Sequence, residues 1–287
     1  MAKSKLFFLL TKLSVRLVVI LTVFVTSVVL SVLMLSIPFD TSLLVFALVG
    51  LLYLVFWFAL CFWIVTLRQN SNFNALALLF VWLLMLILLP ASINNYITNK
   101  YPVPEAFATI IHQRDSYHKK WDTNKKKTLE TFYAEYPQFA HYGYPPEKGF
   151  HWGWYYAMQH LGDVGSRQVS QAMEHKTTLR EQLSRKWSMV IPSMHAQTAF
   201  NDIAETGLMN HRNFIDYIEA FHEKTRLYFY PKIFDGAKVE DVDWNRFVPQ
   251  YFSAKEEINW KTILLPQSIS IALFILLSIF SVKRKLI

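Results

Sequence analysis

Apolar residues crowd into four runs along this chain. From Leu17 to Ala91 the sequence is broken by polar positions only near residues 37–42 and 68–73, and a last run covers Thr262 to Val282. A helix crosses the hydrocarbon core with about 20 apolar residues at about 1.5 Å of rise each. The runs Leu17–Ser36, Leu43–Leu67, Asn74–Ala91 and Thr262–Val282 meet that need, and none contains Asp, Glu, Lys, Arg or His. Four transmembrane helices are therefore predicted. The first is too long for the core of a cleaved signal, and no small-residue cleavage site precedes Asp40.

Between the third and fourth runs the periodicity changes but stays helical. Pro102 and Pro104 open a helix on which Phe107, Ile110, Ile111, Arg114 and Tyr117 share helical spacing, and another covers Lys127 to Tyr136 before Pro137. Gly, Pro and aromatic residues from His141 to Trp154 predict an ordered loop. A short helix from Trp152 to Leu161 is expected to end at Gly162, and a longer one starts near Ser166 with Val169, Met173, Leu179, Leu183 and Trp187 along one side. Pro192 opens the next, which Gly207 closes. A last one carries Phe214, Ile218, Phe221, Thr225 and Phe229 until Pro231 stops it. The predicted class is an all-α integral membrane protein, with four spans and a helical extracytoplasmic domain between the third and fourth.

Charge placement orients the spans. Lys3, Lys5, Lys12 and Arg16 precede the first, Arg68 follows the second, and Lys283, Arg284 and Lys285 follow the fourth. By the positive-inside rule both termini and the 68–73 turn are cytoplasmic. The expected divisions are a cytoplasmic amphipathic N-terminus (1–16), a three-helix membrane region (17–93), an extracytoplasmic domain (94–261), a last span (262–282) and a cytoplasmic tail (283–287). Residues 94–261 carry 21 Lys and Arg against 20 Asp and Glu, so nearly all of the net +8 flanks the membrane. The basic balance thus reports topology and gives no reason to expect nucleic acid. Cys61 is the only cysteine and lies in the second run, so no internal disulfide can form in the domain.

Catalytic signatures are scarce. The sequence has no G-x-x-x-x-G-K-[ST], G-x-S-x-G, H-E-x-x-H or C-x-x-C. All nine histidines fall in the 94–261 segment. His211 and His222 are eleven residues apart on one predicted helix, which separates them by about 16 Å and excludes a shared metal ion. A structural or surface role is the expectation for the histidines, with no metal, cofactor or catalytic residue assigned. Glu219 and Glu223 with Lys224 and Arg226 read as a solvated helix face, and Lys125–Lys127 as a solvated turn. Spans without ionisable residues disfavour an ion-coupled transporter.

Two stretches carry a family resemblance: FWFALCFWIVTLRQNSNFNALALLFVWLLMLILLPASINN, and IPSMHAQTAFNDIAETGLMNHRNFIDYIEAFHEKTRLYFYPKIF. Both resemble permease subunits of type-2 ATP-binding-cassette exporters, in particular the bacterial subgroup with an uncharacterised helical domain before the last span. The tryptophan and proline of that subgroup's third span fall on Trp82 and Pro90. Its outer signature falls on Pro192, Ala204 to Gly207, His211 and Phe214, where Ala-Glu-Thr-Gly replaces the usual Ala-Gly-Thr-Asp-like turn. The resemblance implies a subunit of the bacterial inner membrane that lacks ATPase activity and is driven by a separate nucleotide-binding ATPase, so that ATP acts only through that partner. Such permeases have six spans. Four here imply a truncated or split permease completed by a second permease subunit or fragment. The cytoplasmic turn Arg68, Gln69, Asn70, Ser71 and Asn72 is then the expected ATPase contact, beside the N-terminus.

A rival reading is a membrane-anchored extracytoplasmic binding or sensor module that uses the aromatic loop Tyr142 to Tyr156, with Trp152 and Trp154, as its partner contact. A metallohydrolase built on the histidines is a third, weaker one.

Overall fold

The computed structural model describes residues 2–67, 70–119, 121–146, 148–253 and 259–284. Its elements are all helical: α1 (Ala2–Leu35), α2 (Thr41–Thr66), α3 (Ser71–Leu83), a π-turn (Leu84–Leu88) and α4 (Leu89–Lys100), then α5 (Glu105–Lys119), α6 (Lys125–Glu135), a 3-10 turn (Pro137–Tyr142), α7 (Trp152–Ser188), α8 (Pro192–Ile203), α9 (Leu208–Phe234), two further 3-10 turns and α10 (Trp260–Arg284). Four helical stretches are long and apolar enough to span a bilayer: Leu10–Leu35, Thr41–Thr66, Ser71–Lys100 and Trp260–Lys283. The chain thus carries four helices long and apolar enough to cross a membrane, as the hydropathy pattern predicts.

The chain forms two compact units. The first comprises Met1–Ile97, Glu181–His211 and Ala254–Ile287. Asp40 starts α2 by accepting from Leu43 N–H at 2.9 Å, and Asn70 starts α3 by accepting from Phe73 N–H at 2.8 Å. Both caps satisfy backbone donors that the helix itself cannot. Helix α2 is the hub of this unit. Val45 and Val49 near its start meet Ile263 and Leu264 near the start of α10, whereas Phe56, Leu60 and Ile64 farther on meet Ile271 and Phe274. The two helices therefore run side by side in the same direction. Phe56 and Trp63 pack on Phe274 with ring centroids 5.8 and 5.4 Å away. In lipid such contacts act through close packing more than through exclusion of water. Helix α1 joins where Phe24 lies over Gly50, whose missing Cβ would stand 2.6 Å from the ring.

The second unit comprises Thr98–Arg180 and Arg212–Ser253. Its core sets Leu129 and Phe132 of α6, and Tyr136 just after it, against Ala157 and Met158 of α7 and Tyr230 of α9. In water, burying each large side chain contributes about 1.5–3 kcal/mol. Arg180 of α7 donates to the Tyr101 carbonyl at 2.7 Å and the Thr98 carbonyl at 3.5 Å, capping acceptors left over at the end of α4.

Two expected helix ends are not ends. Gly162 lies inside α7, which runs unbroken from Trp152 to Ser188. An interior glycine costs about 1 kcal/mol against alanine. Buried Ala157, Met158 and His160 before it, and the Arg167–Glu135 pair after it, outweigh that. Pro231 likewise lies within α9. The missing N–H removes one bond near the end, and the chain leaves the helix only at Gly236, where φ is +68°.

Candidate functional site

The most constrained polar arrangement in the first unit lies where α8 meets three spans. Pro192, Ser193, His195, Ala196 and Ala199 form one buried face of this helix. Ala199 packs on Val45 and Val49, the Phe200 ring lies tilted against Phe46 with centroids 4.6 Å apart, and Ile191 just before the helix packs on Ile93 and Ile97. Pro192 at the first helical position is favourable because its absent N–H would have no partner there.

Two side chains of α8 hydrogen-bond to carbonyls inside membrane helices. In the π-turn, Leu89 N–H bonds to the Leu84 carbonyl, five residues back. The next N–H in that register, which would serve Met85, belongs to Pro90 and does not exist. Ser193 Oγ supplies the missing donor to the Met85 carbonyl at 2.6 Å. His195 Nε2 lies 2.7 Å from the Ile263 carbonyl, one turn before Pro266 of α10. A carbonyl only accepts, so Nε2 carries the hydrogen. Ser193 and His195 thus brace two spans beside their prolines, where helices are weakest.

The far end of α8 is held electrostatically. Arg185 donates to both Asp202 oxygens at 2.6 Å and to Glu181 at 2.8 Å. The hydrogen bonds with Asp202 raise the guanidinium's pKa further, against the effect of burial. Thr206 N–H returns to the Asn201 carbonyl at 2.9 Å, Glu205 takes φ of +54°, and a Cβ on Gly207 would meet Asp202 Oδ1 at 3.3 Å. The Ala204–Gly207 turn is therefore a fitted helix stop.

Two polar clusters of the second unit are built from internal ion pairs and hydrogen bonds. His160, 2% exposed, meets Glu135 at 2.9 Å, and Arg167 takes the other carboxylate oxygen at 3.0 Å. Burial works to raise the Glu135 pKa, but Arg167 and His160 outweigh it and hold the carboxyl below the usual range. Tyr136 donates to Glu223 at 2.7 Å, and Arg226 joins Glu223 to Asp163 at 2.7 and 3.0 Å. Among the described residues no three His, Cys, Asp or Glu side chains converge on a metal-sized site.

The residues singled out from the sequence separate into groups. Pro90 and Pro192 come together through the Met85–Ser193 bond, and Ala204 and Gly207 belong to the same junction. Trp82 sits in α3, 46% exposed. His211 is exposed in the first turn of α9, and Phe214 packs on Phe252 at 5.8 Å. Arg68 and Gln69 lie outside the described residues; Asn70 is the α3 cap, with Ser71 and Asn72 in its first turn. Trp152 is half-exposed, whereas Trp154 is buried. Ser193 and His195 were not singled out individually. Their signal was present: both follow the helix-opening Pro192 and fall on the apolar side of a short helix.

The profile of a family described as a domain of unknown function (DUF3526) matches residues 106–252. Neither the curated proteins nor the solved structures give a match.

Proposed function

The chain belongs to the DUF3526 family, a domain of unknown function, and from that premise we propose that this membrane protein is a permease subunit of an ATP-driven exporter that hydrolyses no nucleotide itself. The observation that carries the reading is the α8 junction. The two stretches that resemble type-2 permeases are joined there by the Ser193–Met85 hydrogen bond and by Ile191 packed on Ile93 and Ile97. Spans free of ionisable residues and the missing phosphate-binding loop agree with it.

In this reading both termini are cytoplasmic in the inner membrane, and the unit of residues 98–180 and 212–253 is extracytoplasmic. A separate nucleotide-binding ATPase drives the spans, a second permease subunit completes the pathway, and Asn70–Asn72 belongs to the ATPase contact. Tilting of α3–α4 relative to α10 loads the Ser193 and His195 bonds, so α8 moves with the spans.

The test is mild-detergent co-purification of the tagged chain from its native membranes, followed by mass spectrometry. A stoichiometric P-loop ATPase is expected. Recovery of the chain alone, or only with surface proteins, overturns the proposal. The alternative of a membrane-anchored binding module is favoured by one observation, the exposure of Phe150 and Trp152 at 60% and 50%. It requires that Trp152→Ala abolish capture of an external ligand while leaving the fold intact.

A further inference from the structure

The geometry points to an oxyanion site at the start of α7 that takes a phosphate group. Helix α7 is 37 residues long, and its first turn contains no acidic residue. The N–H groups of Trp152, Gly153 and Trp154 have no acceptor among the described residues; the first N–H of this region to be bonded is that of Tyr155, to the His151 carbonyl at 3.0 Å. Such an end carries a partial positive charge and donors aimed outward along the axis.

Helix geometry alone would not define a site, but two buried polar atoms here also lack partners. Trp154 is 8% exposed, and its indole N–H has no acceptor among the described residues. It occupies the third helical position, from which side chains lean back towards the N-terminus. His151 Nδ1 is buried and unpartnered as well. Its ring lies against Gly153, where a Cβ would stand 3.1 Å from the imidazole Cε1 and 3.2 Å from Nδ1. The glycine therefore makes room for the ring over the helix end. A buried donor without an acceptor costs about 1–3 kcal/mol, which a ligand can recover.

A fixed cation completes the arrangement. Lys125 Nζ lies 4.8 Å from the centroid of the Trp154 ring and donates to the Gly149 carbonyl, which places the ammonium beside the same loop. Two of its three N–H donors remain for a ligand. Three backbone N–H groups, an indole N–H, an ammonium and the imidazole in its Nδ1–H tautomer offer more donors than the two oxygens of a carboxylate accept in good geometry. They suit a tetrahedral oxyanion. This inference does not depend on the permease reading. A phosphate group can come from the headgroup of a phospholipid or from free phosphate, and the recognition chemistry is shared.

The full chain, purified in detergent, is dialysed to equilibrium against radiolabelled orthophosphate. In parallel it is reconstituted with phosphatidylglycerol, and retained lipid is counted by native mass spectrometry. Trp154→Phe keeps the ring packing and deletes only the indole donor, while Lys125→Met deletes the charge. Circular dichroism and the unfolding temperature verify that each variant is folded. Saturable binding of one orthophosphate, weakened at least tenfold in both variants, supports the site and makes its ligand a free phosphate. Retention of one phosphatidylglycerol without orthophosphate binding, lost in both variants, supports the site and makes its ligand a headgroup. Binding of neither, or binding that both folded variants retain, overturns the inference.

Discussion

Gln267 has only 1% of its surface exposed in α10, and neither its amide oxygen nor its amide nitrogen has a partner among the described residues. A buried amide left unpaired costs about 1–3 kcal/mol, so Gln267→Met, which conserves volume, is expected to stabilise the chain by about 1 kcal/mol or more. Denaturant unfolding in detergent reads this directly, and an unchanged or lower midpoint refutes it. The tyrosines of the second unit make a pH prediction. Burial pushes the Tyr230 phenol up to about 12, and burial with the Glu223 hydrogen bond raises Tyr136 as well. An unfolded tyrosine ionises near pH 10. A raised folded value means that the stabilisation is complete below about pH 10 and is lost as pH rises towards the folded value. Tyr230→Phe and Tyr136→Phe should each flatten the loss of stability between about pH 10 and 12, measured by unfolding across that range. The wild-type slope retained in both variants would count against this assignment.

At the scale of elements, the π-turn of the third span and the seat of α8 are one feature. Ser193→Ala removes the hydroxyl donor to the Met85 carbonyl and is expected to cost about 1–3 kcal/mol. Pro90→Ala restores a backbone N–H in the register that lacks one. The cost of Ser193→Ala should therefore shrink in the Pro90→Ala background, and a double-mutant cycle measures the coupling. Strict additivity would show that the hydroxyl does not stand in for the missing donor. The turn after α1 offers a simpler case. Ser36 sits at φ of +52°, with Ile37 N–H bonded to the Val32 carbonyl at 3.2 Å. Glycine adopts that conformation without the steric cost of a Cβ, so Ser36→Gly should stabilise by about 0.5–1 kcal/mol in thermal unfolding.

For the whole molecule, topology is the property on which the permease reading rests. The single Cys61 lies in α2, so a Cys61→Ser background leaves no other thiol. With both termini inside, a cysteine at Lys127 is labelled by an impermeant maleimide in intact cells. A cysteine at Lys283 is labelled only after the membrane is opened. The reverse pattern would invert the chain and remove the Asn70–Asn72 turn from the reach of a cytoplasmic ATPase. The family match over residues 106–252 leaves this question open, because it concerns a domain without an assigned activity.

Local sequence determined the spans, because a bilayer admits a charge-free apolar run of that length almost only as a helix. It also determined the helical class of the remainder and the helix start at Pro192; the caps at Asp40 and Asn70 begin α2 and α3 a few residues before the apolar runs do. The false stops at Gly162 and Pro231 show the limit of that reasoning. Each residue carries a local penalty that contacts many residues away outweigh. Trp154 and Lys125 met the same limit, one expected on a contact loop and the other in a solvated turn, yet folding places the ammonium over the indole ring. Nothing near Ser193 or His195 in sequence announces Met85 or Ile263, which lie 108 and 68 residues away. A backbone carbonyl looks alike at every position. Only the tertiary structure decides which one lacks its donor and which side chain reaches it.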